Sequence, residues 1–123
     1  MNFEKLQVWQ RSIKLSAALY KHFQELRDFS FRDQVTRSGL SIPSNIAEGM
    51  TRRTDKDKVH FLVISRSSCA ELRTQIYIGM EIDYIDAELG QQWLAETREI
   101  SKMISGLITS INQTPPANCL SDS

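Results

Sequence analysis

Arg52, Arg53, Lys56 and Lys58 place four cations within seven positions of "TRRTDKDK", and clusters of this kind track phosphates by charge and hydrogen bonding. Asp55 and Asp57 interrupt the run, so it reads equally as a solvated helix start with its own charge pairs. A second group is polar rather than basic. On a helical wheel Gln34, Ser41, Asn45, Glu48 and Arg52 form one row beside an apolar stripe. Arg66 and Arg73, seven positions apart, fall within the apolar arc of the next helical segment, where a charge without a partner is strongly destabilising. Glu48 is the acid expected to pair with Arg66, and Asn45 is expected to bond the backbone that Pro43 leaves free. Ser41, Asn45, Glu48, Arg66 and Arg73 then make a structural polar network rather than a binding site.

Catalytic patterns are not met. A nucleophile elbow needs Gly-x-Ser-x-Gly between a strand and a helix, whereas Gly39-Leu40-Ser41-Ile42-Pro43 ends in proline inside a helical pattern. His22 and His60 are the two histidines, and neither has a His or Cys at ligand spacing, so no metal is expected. Carboxylates in the Glu-x-x-His arrangement of di-iron bundles do not occur, nor does a Gly-rich phosphate loop. A non-enzymatic protein without a cofactor is the expectation. Trp9, Tyr20, Tyr77 and Trp93 lie on or beside apolar stripes and are expected to pack in the core or between subunits rather than to stack on bases.

Four helical segments position these residues. In the first, Asn2 can cap with Glu4 in the first turn, and Leu6, Trp9, Ile13, Ala17 and Tyr20 form one stripe while Val8, Leu15, Leu19 and Phe23 form a second. Two stripes exceed what three neighbours in a small bundle cover, so the second is expected against another subunit. The second segment is expected to start near Ser30 with Asp33 in capping-box register, and its stripe of Phe31, Val35, Gly39, Ile42, Ile46 and Met50 runs through Pro43. Proline removes a donor and crowds the preceding turn, so a kink or restart is expected there, with Ser41 as a local cap. Thr54 and Asp57 cap the third segment, whose stripe includes Val59, Leu62, Cys69, Ile76 and Met80. The fourth starts near Asp86 and repeats Leu89, Trp93, Ile100, Ile104, Leu107 and Ile111. Long helices joined by short links give an all-α, antiparallel up-and-down four-helix bundle over residues 1–112, with a disordered tail over 113–123 around Pro115 and Pro116.

The 123 residues suffice for one domain with its own core. Net charge is zero, but residues 1–73 carry 13 Lys and Arg against 8 Asp and Glu, while residues 74–123 carry 2 against 7. Neutrality therefore hides a basic and an acidic half. Neither an export signal nor an apolar run long enough to span a membrane is read, and Cys69 sits on an apolar face as a reduced thiol would, so a cytoplasmic location is expected with no membrane contact.

The segments "LQVWQRSIKLSAALY", "QVTRSGLSIPSNIAEG", "FLVISRSSCAELRTQI" and "MISGLITSI" together resemble the bacterial four-helix bundle proteins first known as 23S rRNA intervening-sequence proteins, or S23-like proteins, over residues 3–112. The specific part is Ser41-Ile42-Pro43-Ser44-Asn45-Ile46-Ala47-Glu48-Gly49. The family's Phe-Pro after helix one is missing from "HFQELRDFSF", and Ser65-Arg66-Ser67-Ser68 stands where Ala-Arg-Gly-Ser is usual. The resemblance implies a bundle assembled into a homo-oligomeric ring, typically a homopentamer, without known catalysis. A relative in diversity-generating retroelements partners a reverse transcriptase and binds nucleic acid, which by analogy suggests an RNA or DNA accessory role here, with Arg52, Arg53, Lys56 and Lys58 as the contact. A protein-interaction scaffold without nucleic acid is the alternative.

Overall fold

The computed structural model describes residues 2–113. A short 3-10 turn, Phe3–Lys5, leads into four helices: α1 (Gln7–Phe23), α2 (Phe29–Met50), α3 (Asp55–Glu81) and α4 (Ala87–Gln113). No strand occurs among the described residues. Links of four or five residues force each helix to run back along its predecessor, and α3, at 27 residues, is about 40 Å long. The expected tail lies almost wholly outside the described residues.

Two of the expected caps are present. Thr54 Oγ1 accepts from the Asp57 amide (3.1 Å) and Asp86 Oδ1 from the Leu89 amide (2.8 Å), each meeting a donor that has no partner inside its helix. Two others differ. Asn2 caps the 3-10 turn through the Glu4 amide, and Leu6 is extended, so α1 begins only at Gln7. Asp28, not Ser30, caps α2 by accepting from the Phe31 amide (3.1 Å). The Asp carboxylate accepts more strongly than a hydroxyl, which draws the helix start back to Phe29. α3 ends where Asp83 turns left-handed (φ 63°), with the Tyr84 amide bonded to the Gly79 carbonyl (2.8 Å) and the Asp83 amide to Met80 (3.3 Å).

The core runs the length of the bundle, from Val8 and Ile108 at one end to Phe23, Ile85 and Trp93 at the other. On α1 the expected division between the two stripes does not hold, since Leu6 and Trp9 of the first also pack against the core. Val8, Leu15, Leu19 and Phe23 are buried within the subunit, whereas Ile13, Ala17 and Tyr20 face outward. The reason lies on the neighbouring helix: a Cβ on Gly39 would stand 2.5 Å from Leu19 Cδ1, so this glycine admits the Leu19 face of α1. α2 does not restart at Pro43 but runs unbroken from Phe29 to Met50, and Ser41 caps nothing.

Gly79 is equally constrained, since a Cβ there would meet Ile85 Cδ1 at 2.6 Å and Phe31 Cζ at 3.2 Å, while Gly106 has open space around it. Gly79→Ala should lower stability by about 1 kcal/mol, overpacking of ~1–3 kcal/mol outweighing the helix propensity gained. Gly106→Ala has only the propensity gain of about 1 kcal/mol and should raise the melting temperature. Thermal denaturation of both variants checks the opposite signs.

Candidate functional site

Between α2 and α3 the facing side chains are small. Ser65 Oγ, fully buried, donates across the seam to the Ile42 carbonyl (2.8 Å), and Ser41 and Ser68 share a hydrogen bond of 2.8 Å. Asn45 Nδ2 donates to Ser41 Oγ and to the Ser41 carbonyl, both at 2.9 Å. Pro43 frees the carbonyl four residues before it, which belongs to Gly39, so Asn45 does not serve the backbone group expected of it. Outside these bonds an open groove of about 500 Å³ is lined by Gln34, Arg37, Ser38, Ser41, Ser68 and Glu71, among others, with a charge of each sign. Ser41 and Asn45 therefore act as fasteners of the hairpin.

Glu48 and Arg66 are not brought together. Glu48 is engaged by Arg52, four residues on and just past the end of α2, and the Arg52 guanidinium also lies over the Phe61 ring at 4.8 Å. An i,i+4 pair needs no docking of a second helix, which is why it prevails over the longer reach to α3. Arg66 instead donates from Nη1 to Ser105 Oγ of α4 (3.2 Å). Arg73 is half-buried, and its Nη1 is buried without an acceptor among the described residues. The polar row thus divides into a hairpin fastener on one flank of α3 and two arginines on the other.

Of the basic cluster, Arg53 and Lys56 are exposed and Lys58 is half-buried, and none of the three forms an ion pair among the described residues. Arg52 is the exception, being committed to Glu48 and Phe61. The aromatic expectations divide in the same way: Trp93 is buried against Phe23 and His22, whereas Tyr20 and Tyr77 are about half exposed.

Sequence reasoning missed two further polar links. Arg11 holds Glu96 with Nε at 3.0 Å from Oε2 and Nη2 at 2.5 Å from Oε1, joining α1 to α4. That bond keeps the Glu96 carboxyl below its usual range. At the other end Tyr84 donates to Asp28 Oδ2 (2.9 Å), and His22 Nε2 meets the Tyr84 carbonyl (2.9 Å), tying the α1–α2 turn to the α3–α4 turn. Burial pushes the Cys69 thiol up to about 11, so it packs as an apolar group and is no nucleophile at neutral pH. Among the described residues no cluster of His, Cys, Asp and Glu could hold a metal, and no helix is long and apolar enough to cross a membrane.

An all-helical bundle with a serine-fastened α2–α3 hairpin and a basic turn defines the class of protein. The chain belongs to the 23S rRNA-intervening sequence protein family, whose model matches residues 4–106. Among solved structures it is similar to a protein of unknown function from the S23 ribosomal protein family of Bacteroides thetaiotaomicron. The two are 25% identical with a TM-score of 0.77, the match covering 82% of this chain and 97% of that one. A comparison with curated proteins finds no match.

Two measurements follow from these contacts. Ser65→Ala should cost about 1 kcal/mol because it removes a buried hydrogen bond, whereas Glu48→Gln should cost less than ~0.5 kcal/mol because it breaks an exposed pair. Urea denaturation separates the two. The folded carboxyl of Glu96 titrates below its unfolded value, so its contribution is present above the unfolded range and is lost as pH falls through the folded one. The stability difference between the parent and Glu96→Gln should therefore shrink on acidification below about pH 4, by at most ~1 kcal/mol for so accessible a pair.

Proposed function

We propose that the chain assembles into a homo-oligomeric ring, in keeping with the homopentamer that its resemblance implies, and serves in the cytoplasm as a non-enzymatic accessory protein that associates with RNA or DNA. One observation carries the assembly: Ile13, Ala17 and Tyr20 keep helical core spacing on a face of α1 that the subunit's own core does not use. Leu40 of α2 lies beside Tyr20 along a shallow groove and extends this strip. At the C-terminal end of α3, Ile78 and the capping residue Ile82 form a separate exposed apolar pair. Two unlike patches favour a head-to-tail contact, in which the strip of one copy meets the α3 patch of the next, and such contacts close into rings when the rotation allows.

Nucleic-acid association is supported by the name of the family and by Arg53, Lys56 and Lys58, none of which forms an ion pair among the described residues. Copies around a ring would add their contributions. The engagement of Arg52 by Glu48 thins this cluster and favours a second reading, a protein-interaction scaffold without nucleic acid.

Size-exclusion chromatography with light scattering, run at low and high salt with the 260/280 nm absorbance ratio recorded, tests the proposal. The expected particle is about five times the 14.1 kDa chain mass and releases nucleic acid at high salt. Tyr20→Glu with Leu40→Glu should reduce it to a monomer. A monomeric parent would overturn the assembly, and a clean oligomer that binds no added RNA or DNA would replace the accessory role with the scaffold reading.

A further inference from the structure

The flank where α3 meets α4 collects positive charge that the basic turn does not account for. Arg66 and Arg73 stand seven residues apart on α3 and face α4, as the Arg66–Ser105 bond shows. Tyr77, four residues further, accepts from Arg98 Nη2 of α4 at 2.8 Å, and Lys102 follows Arg98 by one turn. Four cations and two hydroxyls thus share one stripe, and none of the four forms an ion pair among the described residues. Of the acids of these helices, Glu71 lines the α2–α3 groove, Glu96 is held by Arg11 and Glu99 also lies near Arg11, while Glu81, four residues past Tyr77, stands at the end of the stripe.

Arg73 has no acid partner, and its Nη1 lacks an acceptor among the described residues, so the positive charge of this stripe is not neutralised within the subunit. We infer that the α3–α4 stripe binds successive phosphates of a nucleic-acid backbone, an inference that rests on the accessory reading above and moves its principal contact from the turn to the bundle flank. From Arg66 to Tyr77 the stripe spans 11 residues, about 16 Å, over which one strand of a duplex presents about five phosphates. Arginines with serine and tyrosine hydroxyls between them are the usual backbone contacts, and they carry no base preference. A subunit contact would call for an apolar centre, whereas the residues of this stripe are charged or carry hydroxyls.

The test is fluorescence anisotropy of a labelled, mixed-sequence 30-nucleotide RNA titrated with the full-length protein across a series of KCl concentrations. Arg66→Gln with Arg73→Gln should weaken binding at least tenfold near 0.1 M salt and flatten the salt dependence by about 1 to 2 in log–log slope. Arg66→Lys with Arg73→Lys keeps the charge and should retain most of that slope. Lys102→Ala, a change at an exposed position that leaves folding alone, should flatten the slope by about 0.7. Unchanged binding in all three, with loss in Arg53→Ala plus Lys56→Ala, would overturn the stripe and leave the accessory role standing. Failure of the parent protein to bind at any salt would overturn both. Should the glutamine variant lose its oligomeric state while Lys102→Ala binds with an unaltered slope, the arginines pair with carboxylates of a second copy, and the inference falls.

Discussion

Everything else in this bundle depends on how closely α2 and α3 approach. Serines on both helices bring the backbones near enough for the Ser65 hydroxyl to reach the Ile42 carbonyl and for Ser41 and Ser68 to share a hydrogen bond. Gly49 serves the same end, since a Cβ there would stand 3.0 Å from the Lys58 carbonyl oxygen. Hydroxyls suit the task better than apolar side chains. They fill little volume and satisfy one another in a seam that excludes water, where an unpaired polar group would be costly. With α2 so placed, the glycine at position 39 receives α1 and the opposite flank of α3 receives α4.

That arrangement sorts the polar residues by flank. Ser65 and Ser68 on the α2 side of α3 bond within the hairpin, whereas Arg66 on the α4 side bonds the Ser105 hydroxyl, and neither it nor Arg73 forms an ion pair among the described residues. A cation among apolar neighbours is tolerated when its aliphatic stem is covered and its head reaches the edge. Both arginines are half-buried, and at Arg73 one guanidinium nitrogen is itself covered.

Much of this was legible in the residue pattern, and what was not has identifiable causes. Thr54 with Asp57, and Asp86, announced the starts of α3 and α4 because a cap is a contact within one turn. The four helices followed from periodicity, which is equally local. The facing of α1 was misjudged at Ile13, Ala17 and Tyr20 because both stripes keep helical periodicity, and the position of Gly39 on another helix favours the Leu19 face. Glu48 was assigned to Arg66 across two helices although Arg52 stood at i+4, the cheaper partner. Arg11–Glu96 and the Asp28–Tyr84–His22 link join positions far apart in the chain and leave no periodic trace.

The order of contacts also bears on how the chain reaches this state. α2 lies against α3, α3 against α4 and α1 against α2, so nearly every helix meets its neighbour in sequence, while α1 and α4 share only a thin seam fastened by Arg11 and Glu96. Loop closure is cheap when partners are a few residues apart, and topologies of this kind collapse quickly, on the microsecond-to-millisecond scale. The α2–α3 hairpin, with its hydroxyls paired across the seam, is the natural nucleus. Because α4 is the last helix in the chain, its seam with α1 can close only after both helices of the α2–α3 hairpin have been synthesised.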